Sequence, residues 1–331
     1  MADSIRWGVL ATGSIAKQFV KGLKVSKTGV LQAVGSRTLE RAQEFTAEFG
    51  GIPHGSYEGI LANPEVDAVY IATPHASHAE WTIKAAAAGK GVLCEKPFTL
   101  NLKEAEEALT QVRRHGVFFM EAFMYRCAPQ TRKLAEFLDQ KVIGEIKSIN
   151  AEFSFHSSHE WNNFRTTNQG GGGGLMDVGT YCVSLARMVA GCEPVDANYS
   201  AHIGSKGYDE YGNGSLKFQN GVTAAFGCGI HLTMQNDARI YGTEGHIHIE
   251  SPWKTSAGAK MTVSKSGTDP EVFDLGVSND ELYAIEADTV AQYWEDKQVP
   301  FLTPDDTLNQ MRTLDRLRAS AGLHFEGEPN S

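Results

Sequence analysis

A chain of 331 residues with 41% hydrophobic and 21% charged residues has the composition of a folded globular protein with room for two domains. Its formal net charge of −10 argues against nonspecific nucleic-acid binding, which draws on a positive surface. No run approaches the ~18–20 consecutive apolar residues that span a bilayer, so neither nucleic acid nor membrane is an expected partner.

The opening Met1-Ala2-Asp3-Ser4-Ile5-Arg6 lacks the basic segment, apolar run and small-residue cleavage site of a secretory leader. Five cysteines (Cys94, Cys127, Cys182, Cys192, Cys228) are an odd, scattered set with no C-x-x-C pair. The expectation is reduced thiols, a cytoplasmic location and no structural zinc.

The first ~120 residues alternate short β-rich runs with helical patterns, as a parallel sheet covered by helices requires. Strands are predicted over Ile5 to Leu10 and Val30 to Ser36, with helices over Ile15 to Leu23 and on through Arg41 to Phe49. Asp67 to Ala72 has almost no polar interruption, which suits a strand buried on both faces. The helix Ala76 to Ala88, the strand Gly91 to Cys94, the helix Leu102 to His115 and the strand Val117 to Met120 complete this half. From about Ile143 to Lys265 the texture becomes strand-like, with turn signals at Asn213-Gly214 and Asn220-Gly221 and one helix from Leu175 to Val189. Two helices follow, Asn279 to Lys297 and Pro304 to Leu323. The pattern predicts an α/β Rossmann domain over residues 1–122 and an α+β domain over 123–331. The C-terminal helix is a candidate for packing back on the first domain.

The first strand hands over to a helix through Ala11-Thr12-Gly13-Ser14-Ile15-Ala16. Small residues there let backbone amides approach a pyrophosphate while the helix N-terminus supplies positive dipole. The strict fingerprint is G-x-G-x-x-G; this chain reads A-x-G-x-x-A, so only the middle glycine is kept. The second strand ends in Ser36-Arg37, with Arg41 one helical turn further. A carboxylate at that place selects the ribose 2′-hydroxyl of NAD, whereas a hydroxyl and guanidinium groups hold a 2′-phosphate. NADP is therefore expected in preference to NAD.

The fifth strand runs into Glu95-Lys96-Pro97, at the sheet edge where open α/β folds bind ligands. With Thr73-Pro74-His75-Ala76-Ser77-His78 and Gly174-Leu175-Met176-Asp177-Val178-Gly179-Thr180-Tyr181, this tripeptide resembles the Gfo/Idh/MocA oxidoreductase family over nearly the whole chain. Glu121-Ala122-Phe123-Met124-Tyr125-Arg126, Trp161 to Arg165 and the glycine run before Asp177 are most similar to one branch. That branch contains dimeric dihydrodiol dehydrogenase, NADP-dependent xylose dehydrogenase and glucose-fructose oxidoreductase.

The resemblance implies a large open, mainly antiparallel sheet in the second domain, whose outer face forms a homodimer or higher homo-oligomer. It implies Lys96 and Tyr181 as catalytic residues with Asp177 close by. It extends the cofactor site to Thr73, Pro74, His75, His78, Glu95, Lys96, Pro97 and Arg126, and draws the substrate site from Met124, Trp161, Phe164, Arg165, Asp177 and Tyr181. A cis Lys96-Pro97 bond is also implied. The chemistry agrees with these roles. Oxidising an alcohol needs a base for the hydroxyl proton, a tyrosine near its free pKa of ~10 is a poor one, and a neighbouring ammonium lowers that pKa. Four residues apart on a helix, Asp177 and Tyr181 share one face. Met124 departs from the tryptophan usual in the branch, and Tyr181 from the histidine found elsewhere in the family.

The implied activity is NADP(H)-linked hydride transfer with a sugar or polyol, by aldose oxidation at C1 or keto-sugar reduction. Trans-dihydrodiol oxidation is the alternative within enzymes, and a catalytically silent NADP-binding sensor the alternative outside them. His156 with His159, and His246 with His248, lack a recognised zinc spacing, so no metal is expected.

Overall fold

Residue patterns alternating between β-branched runs and amphipathic segments set up two sheets, and the computed structural model describes them over residues 4–158 and 163–326. Trp161 and His159 fall outside the described residues. The chain divides into one unit of Met1–Ala128 with Ser278–Leu308 and a second of Pro129–Val277 with Asn309–Ser331. The sequence reading drew a single boundary after residue 122; the packing draws it after Ala128 and returns Ser278–Leu308 to the first unit.

In the first unit β1 (Ile5–Leu10), β2 (Gly29–Gly35), β3 (Ile52–His54), β4 (Ala68–Ile71), β5 (Gly91–Glu95) and β6 (Phe119–Ala122) form one sheet in the order β3-β2-β1-β4-β5-β6. Every pairing is parallel. Strands β4 and β5 are buried along their whole length, as their uninterrupted apolar runs require when helices cover both faces. Those helices are α1 (Ser14–Val25), α2 (Leu39–Phe49), α3 (Tyr57–Leu61), α4 (His78–Ala87) and α5 (Leu102–His115), with the short α6 (Met124–Cys127) after β6. The last predicted strand of this half lies two residues later than expected, at Phe119–Ala122. Strand order reverses beside β1, so the carboxyl ends of β1 and β4 open a crevice.

The segment returned from the C-terminal part carries α9 (Asn279–Gln292), which packs on α1. The Asp288 carboxylate accepts hydrogen bonds from the Ser26 and Thr28 hydroxyls at 2.6 and 2.7 Å, tying this helix to the turn before β2.

The second unit opens with α7 (Pro129–Asp139) and builds an eight-stranded sheet from β7 (Ile146–Ser154), β8 (Pro194–Ile203), β9 (Asp209–Phe218), β10 (Thr223–Gly229), β11 (Ala238–Gly242), β12 (Gly245–Ile249), β13 (Lys260–Lys265) and β14 (Glu271–Asp274). The order is β14-β13-β12-β11-β7-β10-β9-β8, antiparallel throughout except for β7 with β10. This is the open, mainly antiparallel sheet the resemblance implied. Helix α8 (Thr180–Ala190) covers one face, against β7 and β10. Helix α10 (Pro304–Ser320) runs across the division between the units.

One predicted turn is corrected. Asn220-Gly221 does connect β9 to β10, but Asn213-Gly214 lies inside β9, paired with Gly227 and Phe226 of β10. Gly214 is there for space. A Cβ on it would come 2.2 Å from the Phe226 ring, and across the bare backbone Tyr199 and Phe226 stack at 6.0 Å, nearly parallel. An aromatic pair covering a strand glycine recovers the apolar contact the missing side chain forgoes.

Among the described residues no helix is long and apolar enough to cross a membrane.

Candidate active site

In the first unit the predicted cofactor residues gather at the carboxyl ends of adjacent parallel strands. Ala11 to Ile15 follow β1, Ser36 and Arg37 follow β2, Thr73 to His75 follow β4, and Glu95 to Pro97 follow β5. Helix α1 differs from α2, α3, α5 and α9. Those four have a side-chain cap from Thr38, Ser56, Asn101 and Ser278, while α1 has Gly13 at its N-cap, with no side-chain cap and no acid in its first turn. A Cβ on Gly13 would meet nothing within 4 Å, so the backbone at the start of α1 is open to close approach on that side. Arg37 and Arg41 are exposed, and neither makes an ion pair among the described residues. An uncapped helix start after β1, with exposed guanidinium groups just beyond the end of the neighbouring strand β2, fits a dinucleotide carrying a 2′-phosphate.

The Glu95-Lys96-Pro97 turn is held from both sides. His78 on α4 is fully buried, its Nε2 2.8 Å from the Thr73 carbonyl and its Nδ1 3.0 Å from the Pro97 carbonyl. Burial outweighs those carbonyls and pushes the imidazole down to about 4, so it stays neutral at pH 7 and donates through one nitrogen. From β6, the buried Glu121 carboxylate accepts the Phe98 N–H at 3.0 Å. The Lys96–Pro97 bond is cis, as expected. Lys96 is left 9% exposed in this fixed turn. His78 therefore packs between the β4 and β5 ends and donates to one of the two carbonyls; with no exposed surface it has no face to offer a ligand.

Arg126 is buried on α6, its guanidinium donating to the Phe301 carbonyl and lying 3.6 Å from the Asp306 carboxylate. Met124, on the same short helix, is 3% exposed.

Near the β5 end lies a buried acid, Glu286, that sequence reasoning missed. The Tyr70 hydroxyl donates to Glu95. Glu286 on α9 is fully buried, and neither carboxylate oxygen has a hydrogen-bond partner among the described residues. Burial, with the nearby Glu95 charge, pushes the Glu286 carboxyl well above its ordinary range, so it holds a proton.

In the second unit Asp177 and Tyr181 lie on consecutive turns. Leu175–Gly179 is a π-helical turn, and α8 starts at Thr180. The expected continuous α-helix from Leu175 is thus wider in its first turn, a feature frequent at functional sites. Both side chains are 4% exposed. Arg165 Nε donates to Asp177 Oδ1 at 3.0 Å, and its guanidinium lies 4.4 Å over the Phe164 ring. The structure so joins three predicted substrate residues, Phe164, Arg165 and Asp177. Tyr181 packs edge-on against Phe153 at 5.2 Å and Trp253 at 5.9 Å. Those two aromatics, on β7 and after β12, were not among the sequence candidates. Elsewhere, His248 Nε2 sits 2.9 Å from the Asp237 carboxylate, and His156 faces His231 at 6.5 Å between rings.

Comparison with known proteins completes the description. A family model described as an oxidoreductase family with an NAD-binding Rossmann fold matches residues 5–123, and the GFO/IDH/MocA C-terminal domain matches residues 131–248. The chain belongs to the Gfo/Idh/MocA oxidoreductase family. This oxidoreductase is 37% identical over 260 residues to the mouse trans-1,2-dihydrobenzene-1,2-diol dehydrogenase, covering 76% of each chain. It is 32% identical to D-xylose 1-dehydrogenase (NADP(+)) 2 of Haloferax volcanii, covering 95% of this chain and 97% of that one. Among solved structures, a 3-ketoreductase from Actinomadura kijaniata in complex with NADP and TDP-benzene superposes with a TM-score of 0.85 at 31% identity, covering 96% and 98% of the two chains.

Proposed function

We propose that this oxidoreductase is an NADP(H)-dependent dehydrogenase or reductase exchanging hydride between nicotinamide and a CH–OH or carbonyl carbon of a sugar or polyol. The observation that carries the reading is the build of the β5 end. An ammonium, Lys96, is held 9% exposed in a turn braced by His78 and Glu121, at the edge of a doubly wound sheet where ligands bind. NADP-bound and NADP-named relatives support the choice of cofactor, as do Ser36, Arg37 and Arg41 after β2.

When bound, the nicotinamide supplies or accepts the hydride. Thr12, Gly13, Ser14 and Ile15 would hold the dinucleotide's pyrophosphate through backbone amides, and Arg37 with Arg41 would hold the 2′-phosphate. Tyr181 is the group that transfers the hydroxyl proton, and Lys96 is the second catalytic residue. Asp177 orients the substrate hydroxyl, while Arg165 fixes the Asp177 carboxylate and presents further donors to substrate oxygens. The Phe164 ring suits the apolar C–H face of a sugar. The protein acts in the cytoplasm as a homodimer formed through the outer sheet face, where Asn198, Ser200, Tyr211 and Asn213 stand exposed on β8 and β9.

The test is NADPH fluorescence on mixing, then nicotinamide absorbance with a panel of aldoses, keto-sugars and trans-dihydrodiols. Tyr181→Phe and Lys96→Met are each expected to lower kcat by about 10²–10⁴-fold while still binding NADPH. Cofactor binding with no turnover across the panel would instead identify a sensor, and full activity in Tyr181→Phe would remove the proton-transfer assignment. Light scattering on the eluting peak checks the dimer.

A further inference from the structure

Asp209 opens β9 and is fully buried. Its Oδ2 accepts the Leu175 N–H at 2.7 Å and the Tyr199 hydroxyl at 2.8 Å. Its Oδ1 has no hydrogen-bond partner among the described residues and is aimed at Gly173, where a Cβ would come within 1.9 Å. Gly173 has φ +111°, a conformation that favours glycine, and Gly174 presses on the backbone of Gly229. Two of the five consecutive glycines are therefore explained by the approach of one carboxylate and one strand.

Leu175 begins the π-helical turn that carries Asp177 and leads to Tyr181. At the other end of that turn a Cβ on Gly179 would lie 2.8 Å from the Cys228 sulfur. Cys228 Sγ is in turn 3.3 Å from the Tyr199 hydroxyl. Asp209, Tyr199 and Cys228 so form a continuous polar floor, gripping the turn at its first amide and supporting it at its last glycine. Every member of the floor comes from the sheet.

We propose that Asp209 is a positioning residue for the reaction: by accepting the Leu175 N–H it sets the rotation of the turn that carries Asp177 and Tyr181. The proposal rests on Tyr181 being the proton-transfer group. A hydrogen bond between an ionised carboxylate and a helix-initiating amide is stronger than a neutral one and acts at the positive end of the dipole. The groups facing Asp209 are the Tyr199 hydroxyl from β8, the Cys228 thiol from β10 and the Arg318 guanidinium from α10. Burial pushes the Asp209 carboxyl up to about 7, opposed by the Tyr199 and Leu175 donors and by Arg318. Burial raises Tyr199 and Cys228 as well, with the Asp209 charge adding at both, so both keep their protons and Tyr199 remains a donor. The grip of Asp209 therefore weakens as pH falls below neutrality.

The experiment compares wild type, Asp209→Asn, Tyr199→Phe and Tyr181→Phe, together with the Asp209→Asn/Tyr181→Phe double variant. Asp209→Asn is expected to bind NADPH within about twofold of wild type and to lose kcat by about tenfold or more with KM changed less than about threefold. Its kcat should lose the acid limb near neutrality, and in Tyr199→Phe, which lacks one donor to the carboxylate, that limb should move to higher pH. In the Tyr181→Phe background Asp209→Asn should lower kcat no further, because both changes act on one group. Amide exchange over residues 173–181 should quicken in Asp209→Asn, a readout that needs no substrate. Unchanged exchange there, or kcat and its pH profile as in wild type for both Asp209→Asn and Tyr199→Phe, would overturn the proposal. The two failures separate cleanly. An active Tyr181→Phe defeats the proton-transfer reading, whereas an inactive Tyr181→Phe beside a fully active Asp209→Asn defeats only the positioning role.

Discussion

Replacing Glu286 by glutamine isolates the effect of burying a protonated acid. The carboxyl sits fully buried on α9 with neither oxygen hydrogen-bonded among the described residues, and burial together with the Glu95 charge raises its pKa well above the ordinary 4.5. The folded chain therefore keeps a proton that the unfolded chain releases above about pH 4.5. A group whose folded pKa is raised contributes its full stability below the unfolded value and loses it as pH climbs toward the folded one. The loss is about 1.4 kcal/mol for each pH unit between the unfolded and the folded pKa. Glutamine keeps the shape and a neutral head but has no proton to lose. Wild type should then fall relative to Glu286→Gln as pH rises above 5, by about 3–5 °C in melting temperature per pH unit for a unit of this size. Calorimetry of both proteins at pH 5, 6, 7 and 8 reads the difference, in which titrations common to the two cancel. A fixed offset from glutamine packing is immaterial, since only the slope is tested. A difference in melting temperature that stays constant from pH 5 to pH 8 would refute the buried, protonated Glu286.

Two further substitutions probe the cofactor turn. Ala11 holds φ +97°, where a side chain costs about 1–3 kcal/mol and glycine costs nothing beyond the ~0.5–1 kcal/mol of extra freedom in the unfolded chain. Ala11→Gly should stabilise the unfilled protein by about 1 kcal/mol, and a melting temperature unchanged or lowered would count against strain at this turn. Arg37→Ala should weaken NADP binding about 10–100-fold while leaving NAD within about twofold, as titration calorimetry with each cofactor would report. Equal losses for the two would assign Arg37 some role other than the 2′-phosphate.

The parallel sheet was the most legible part of the chain because strands buried on both faces leave uninterrupted apolar runs, as in Asp67 to Ala72. The β8, β13 and β14 strands were less legible. Their burial alternates or is largely lost toward the sheet edge, as at exposed Val195 and Val272, and the sequence signal fades with it. Asn213-Gly214 misled for a related reason. The dipeptide is a strong local turn signal, and only the pairing of Tyr199 and Phe226 on either side shows that the glycine serves cross-strand stacking.

At the site, what sequence could reveal was the chemistry that stands at strand ends and helix starts, and what it hid was the support. Arg37, Lys96, Asp177 and Tyr181 announce themselves through residue type and local motif. Glu286, Asp209 and Trp253 do not. Each is remote in sequence from what it supports, and an isolated Glu, Asp or Trp has no pattern of its own. The glycine run before Asp177 carried a usable signal, because five side chains absent in succession mean that something must approach closely. What approaches Gly173 and Gly174 is a buried carboxylate and strand backbone, and what approaches Gly170 and Gly172 is the backbone of Phe164 and Arg165. The same device recurs in the first unit, where Glu121 accepts the Phe98 amide just beyond Lys96-Pro97. In each unit a buried acid on a strand holds the first amide near a turn that bears a candidate catalytic group. Such anchoring suits a reaction that needs a proton donor fixed within a few tenths of an ångström, since a carboxylate buried against one amide has a single orientation to offer.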